Sequence, residues 1–139
     1  MKKIKLPLIV SIAVIVIAIV LGTAIYLFQN QTKSITSFFN NNTNKITRIN
    51  ITNSSGNVIT VDDKKLISNI SDYLSKLKFK KLYNQPSTGW LYQFSFHENS
   101  TNAFVFTFLS YDSCQINSSK YKIENSTDIT IDSIYKEAT

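Results

Sequence analysis

The sequence predicts an α+β protein. It has an N-terminal membrane-spanning helix, followed by a small domain whose mainly antiparallel sheet is covered on one face by one amphipathic helix. Three observations carry this reading. Residues 8–28 (LIVSIAVIVIAIVLGTAIYLF) hold no charge. Residues 90–97 and 103–109 alternate, with aromatic side chains falling on one face of each. Between Asp62 and Leu77, apolar residues recur at three- and four-residue steps, the repeat of a helix.

At ~1.5 Å per residue, the uncharged run reaches roughly 30 Å, the thickness of a bilayer's hydrocarbon core. Lys2, Lys3 and Lys5 make residues 1–7 a basic tip. Such lysines stay cytoplasmic, which places the carboxyl side outside a single-pass cell-membrane protein. A cleaved signal peptide is the competing reading, with Gly22 and Ala24 as the small residues before a cut. However, Ile25, Tyr26, Leu27 and Phe28 carry the run past them, and an ordinary signal core is only roughly 7–15 residues long. An uncleaved signal-anchor is therefore expected. A lipoprotein anchor needs a cysteine just after the run, and the one cysteine is Cys114. A pilin-like leader would carry an early glutamate, which this run lacks. Ala18 and Gly22 form only a weak small-xxx-small pair for helix packing.

Composition bounds the remainder. All basic residues but Arg48 are lysine, and Ile, Asn and Lys are abundant while Gly and Pro are scarce, as in an AT-rich coding sequence. The same bias accounts for Asn-x-Ser/Thr triplets at Asn30, Asn41, Asn50, Asn53, Asn69, Asn99, Asn117 and Asn125. Setting aside the three lysines of the tip leaves 12 of the 15 basic residues against 9 acidic ones. So mild an excess lacks the clustered basic face of a nucleic-acid binder, and no nucleic-acid partner is expected. A lone cysteine forms no internal disulfide, so a hydrophobic core must hold the domain. Residues 45–139 supply 95 positions, enough for one core.

Residues 29–44 (QNQTKSITSFFNNNTN) are polar and read as a stalk, with Ile35, Phe38 and Phe39 at the spacing of a short helical extension. The domain follows. Residues 45–52 alternate as a strand, residues 53–57 turn on Gly56 and the asparagines, and residues 58–61 form a second strand. Asp62 or Asp63 caps a helix that buries Leu66, Ile67, Ile70, Leu74 and Leu77. Lys76 lies in its last turn and Lys78, Lys80 and Lys81 follow, complementing the negative end of the helix dipole.

Pro86 and Gly89 interrupt pairing over residues 83–89. Trp90, Tyr92, Phe94 and Phe96 then share one face of a strand, and Phe104, Phe106 and Phe108 one face of its partner. Their apolar surface needs a cover, and the helix over 63–77 is the long element available. Residues 114–116 and 120–123 make the last strands around the turn at Asn117, and residues 128–138 close as a short helix capped by Asp128 or Thr130.

The Ile49-x-Ile51 strand, the Ser-Gly-Asn turn, Val58-x-x-Val61-Asp62, the helix with Ile67, Ile70 and Leu74, the aromatic strands and Tyr121-x-Ile123 together resemble a known group. These are the small exported domains of uncharacterised function behind lipoprotein or membrane anchors in low-GC Gram-positive bacteria. The resemblance implies a fold and a location. It supplies no catalytic residue.

Residues able to carry chemistry are few. His97 beside Glu98 falls short of the three ligands a metal site needs. Cys114 with His97 and Asp112 would be a thiol nucleophile only if the base lay within hydrogen-bond reach, and Cys114 reads instead as a small core residue. No phosphate-binding glycine loop or nucleophile elbow is present. The expectation is a non-catalytic interaction module with no cofactor and no metal, whose partner is another envelope protein. Its candidate partner face is Leu91, Gln93, Val105, Thr107 and Leu109, the sheet side opposite the aromatics. The alternative is a binder of an anionic envelope polymer or lipid surface through Lys76, Lys78, Lys80 and Lys81.

Overall fold

The apolar run forms helix α1, Leu6–Gln29, in the computed structural model, which describes residues 6–35, 45–86, 89–125 and 128–139. Its segment Ile9–Gln29 is long and apolar enough to span a membrane. The hydroxyls of Ser11 and Thr23 inside it do not stay unpaired. Ser11 Oγ donates to the Pro7 carbonyl at 2.9 Å, and Thr23 Oγ1 to those of Ile19 and Val20 at 3.0 and 2.9 Å. Such back-bonding removes the cost of a bare hydroxyl in hydrocarbon.

A second unit begins at Thr32. It contains β1 (Thr32–Ser34), β2 (Arg48–Asn53), β3 (Val58–Val61), α2 (Lys64–Lys76), β4 (Lys78–Lys81), β5 (Tyr92–Glu98), β6 (Thr101–Ser110), β7 (Ser113–Ile116), β8 (Ser119–Ile123) and α3 (Asp128–Ala138). The eight strands form one antiparallel sheet in the order β1-β4-β8-β7-β6-β5-β2-β3. The α+β class and the antiparallel sheet agree with the sequence reading, and two strands are new.

The first new strand shortens the expected stalk. Thr32, Lys33 and Ser34 pair with Lys80, Phe79 and Lys78, and Ile35 is 1% exposed within the core. The rest of that stretch, 36–44 with Phe38 and Phe39, lies outside the described residues, as do residues 1–5 of the basic tip, while Leu6 and Pro7 already belong to α1. The second is β4. Leu77 is not a helical residue but the cap of α2, with extended backbone, and the chain alternates from there as a strand.

One face of the sheet is the core. Ile49, Phe96 and Phe104 stand in register across β2, β5 and β6, and Ile51, Phe94, Phe106 and Ile116 across β2, β5, β6 and β7. The phenyl rings pack edge to face or tilted, with Phe106 and Phe108 centroids 4.6 Å apart and those of Phe94 and Phe108 5.7 Å apart. Trp90, expected to lead this row, lies before β5 and is 36% exposed. The single covering helix is also corrected. Ile67, Ile70 and Leu74 of α2 share the buried cluster with Ile131 and Ile134 of α3, so both helices contribute to it.

Local chemistry sets the ends. Asp63 caps α2 by accepting from the Leu66 amide at 2.8 Å. The β5–β6 and β7–β8 hairpins have two-residue loops that open on Asn99 and Asn117, at φ of 55° and 54°. Asparagine tolerates this left-handed backbone better than most residues.

Candidate interaction surface

The strands that place phenylalanines in the core place short polar residues on the other face. Thr52, Gln93, Thr107, Gln115 and Lys120 follow one another in register across β2, β5, β6, β7 and β8. Gln93 Nε2 donates to Thr107 Oγ1 at 3.4 Å. Of the residues expected as a partner face, Gln93 and Thr107 pair directly and Val105 lies one step along the same side of β6. Leu91 lies just outside β5, its amide donating to the Phe108 carbonyl at 2.8 Å, and Leu109 follows Phe108 near the end of β6. None of the five is buried.

The expected lysine cluster does not form one group. Lys76 ends α2, and Lys81 lies on the same side of β4 as buried Phe79, with its Nζ 5.6 Å from the centre of the Tyr83 ring. Lys78 and Lys80 fall on the polar face, where β8 adds Lys120 and Lys122. Lys80 stands directly opposite Lys122. Sequence reasoning missed these two partners. Lys120-Tyr121-Lys122 repeats the Lys-aromatic-Lys alternation of residues 78–80, and only the pairing of β4 with β8 joins the two.

A cavity of about 250 Å³ adjoins Lys120, with Ser110, Ser113, Leu109 and Leu82 in its wall. Ser110 Oγ lies 2.6 Å from Ser113 Oγ and donates to Asp112 Oδ1 at 2.6 Å. Lys120 Nζ donates to the Pro86 and Gln85 carbonyls at 2.7 and 3.4 Å. A larger cavity of about 510 Å³ lies elsewhere, between the start of β2 and α2, and brings Lys64 together with Asp62 and Asp72. It holds none of the expected site residues.

His97 is on the polar face, its Nε2 3.3 Å from Asn50 Nδ2. Asn50 Oδ1 accepts from Thr60 Oγ1 at 3.2 Å, so Nδ2 is the atom left for the ring, and Nε2 accepts. Cys114 is fully buried on the core face, and burial pushes its thiol well above its ordinary range. The sheet itself separates the two side chains. Among the described residues no group of three or more His, Cys, Asp or Glu side chains is arranged to hold a metal.

A polar cluster at the end of the core face had no signal in the sequence. Asp132 of α3 accepts from Tyr92 Oη at 2.8 Å and Tyr111 Oη at 3.1 Å, and Asn53 Nδ2 donates to Tyr135 Oη at 3.0 Å. Desolvation first, then the bond to Asp132 and its charge, pushes the Tyr92 phenol up to about 12.

Comparison with protein-family models, curated proteins and solved structures finds no match.

Proposed function

We propose that this chain is a membrane-anchored, non-catalytic interaction module. Its amino terminus is cytoplasmic, its domain is outside the cell, and its polar sheet face receives another envelope protein. The observation that carries the proposal is the make-up of that face. Thr52, Gln93, Thr107 and Gln115 form an uncharged row of hydrogen-bonding side chains, flanked by half-buried Val105 and Leu109. Such a mixture suits a transient protein interface, which is only about as apolar as the rest of a protein surface. The apolar α1 and the lysines before it support the location, as does the pattern's resemblance to small exported domains of low-GC Gram-positive bacteria.

The test is photo-crosslinking in intact cells from a reactive residue at Thr107, compared with one at Ser68 on α2. A discrete protein adduct from Thr107 alone, lost in a Gln93→Lys variant, supports the proposal. Equal adducts from both positions, or none from Thr107, contradict it.

A further inference from the structure

We propose that Lys78, Lys80, Lys120 and Lys122 dock this domain on the anionic headgroup surface of the membrane that α1 is fit to cross. The inference rests on the anchor reading above and adds a second binding surface to it.

The four lysines share one face of two paired strands. Alternate residues of a strand are ~6.8 Å apart and neighbouring strands ~4.8 Å apart. Because Lys80 is level with Lys122, Lys78 and Lys120 lie one step beyond on opposite sides, and the charges occupy three levels over roughly 14 Å. Like charges set directly across a strand pair destabilise it, so this arrangement works against the fold. Among the described residues, none of the four forms an ion pair. The ion pair among the described residues is Lys45 with Glu98, 3.7 Å apart. Glu124 shares a recess with Lys78 and offsets only part of the patch. Glu124 accepts from Thr32 Oγ1 at 3.3 Å, and Asp112 accepts from Ser110. A surface of phosphate-bearing headgroups supplies the missing negative charge.

Chain length selects the occupant. Only Asn30 and Gln31 separate the end of α1 from Thr32, a tether of ~11 Å at full extension. Thr32, Lys80, Lys122 and Ser113 then run in register across β1, β4, β8 and β7, so the lysines begin one strand from the tether. Headgroup charge acts over about a Debye length, ~8–10 Å. The tether is about as long as that range. From β8 to β5 there are three strand steps, and a twist of roughly 20–25° at each turns the Gln93–Thr107 row away from the docked edge. The two surfaces can therefore serve at once.

The test reconstitutes the full chain in vesicles of phosphatidylcholine, alone or with a third of the lipid replaced by phosphatidylglycerol. Each lysine's reaction with a water-soluble amine reagent is then followed. The expected result is a several-fold slowing at Lys78, Lys80, Lys120 and Lys122 in the anionic vesicles only. High salt should reverse it, and Lys64, Lys65, Lys76 and Lys136 should not change. In a Lys80→Glu, Lys122→Glu variant, protection of Lys78 and Lys120 should vanish. Equal rates at the four lysines in both lipids overturn the docking surface, and so does slowing spread evenly over all eight. Protection by soluble polyphosphate but not by vesicles also overturns it, in favour of a polymer ligand. Flotation with the neutral vesicles reads the anchor separately: a chain that floats without lysine protection loses only the docking proposal, and one that does not float loses both.

Discussion

Tyr92 donates its phenolic proton to Asp132 Oδ1 at 2.8 Å and so ties β5 to α3. Tyr111 occupies the second carboxylate oxygen at 3.1 Å, and the Tyr92 and Tyr135 rings lie 5.1 Å apart beside it. A short helix gains little from its own propensity and depends on such tertiary contacts. Replacing Asp132 by alanine removes two hydrogen bonds to a charged acceptor and should cost about 2 kcal/mol. Urea denaturation reads this directly, and a loss below ~0.5 kcal/mol, the scatter of ordinary surface substitutions, would mean that α3 is held by Ile131 and Ile134 alone.

The same contact makes stability depend on pH at the alkaline end. A tyrosine has a pKa near 10 when unfolded, and the Tyr92 phenol is pushed up to about 12 in the folded domain. The folded state therefore holds this proton more tightly. Its contribution is complete below pH ~10 and fades as pH rises towards ~12. Denaturation midpoints should fall across that window, and Tyr92→Phe should reduce the fall. An unchanged profile in the variant would assign it to other groups.

Ile35 belongs to the domain although it lies in a segment that reads as a stalk. It is 1% exposed, and the strand before it pairs with β4. Ile35→Ala should therefore destabilise the domain by about 2–4 kcal/mol, as a core truncation does. Lys33→Ala on the exposed edge should change stability by no more than ~0.5 kcal/mol. Equal small effects would return residues 32–35 to the stalk.

Lys80 and Lys122 oppose each other across β4 and β8. Lys122→Glu turns this like-charge pair into an attractive one and should raise stability by about 0.5 kcal/mol, with the gain shrinking in high salt. A measured loss would show that the two ammonium groups avoid each other by bending apart.

Much of this fold is written in local periodicity. Alternation marked the core sides of β2, β5 and β6, and the three- and four-residue steps at Ile67, Ile70 and Leu74 marked α2. What periodicity does not encode is which strands become neighbours. Residues 78–81 are too short and too basic to stand out as a strand, because only the burial of Phe79 against Ile123 and Phe106 makes them one. β1 is legible only through its pairing with β4, and Ile35 only through a core formed by distant residues. The face at Gln93, Val105 and Thr107 was readable because alternation assigns sides within a strand. The meeting of Lys80 with Lys122, and of Tyr92 with Asp132, spans about forty residues of chain in each case and follows from tertiary pairing alone.

The proposed topology, one helix leaving the domain outside the cell, can be read by cysteine labelling with a membrane-impermeant maleimide, because the native Cys114 is buried and its thiol is held in the unreactive protonated form. Two variants are compared in intact cells, Lys3→Cys in the basic tip and Ser68→Cys on the exposed side of α2. The expected result is immediate labelling of the Ser68→Cys chain, with the Lys3→Cys chain labelled only after the membrane is permeabilised. The reverse pattern, or a Ser68→Cys chain that labels only after permeabilisation, would contradict an exported domain and with it the envelope partner.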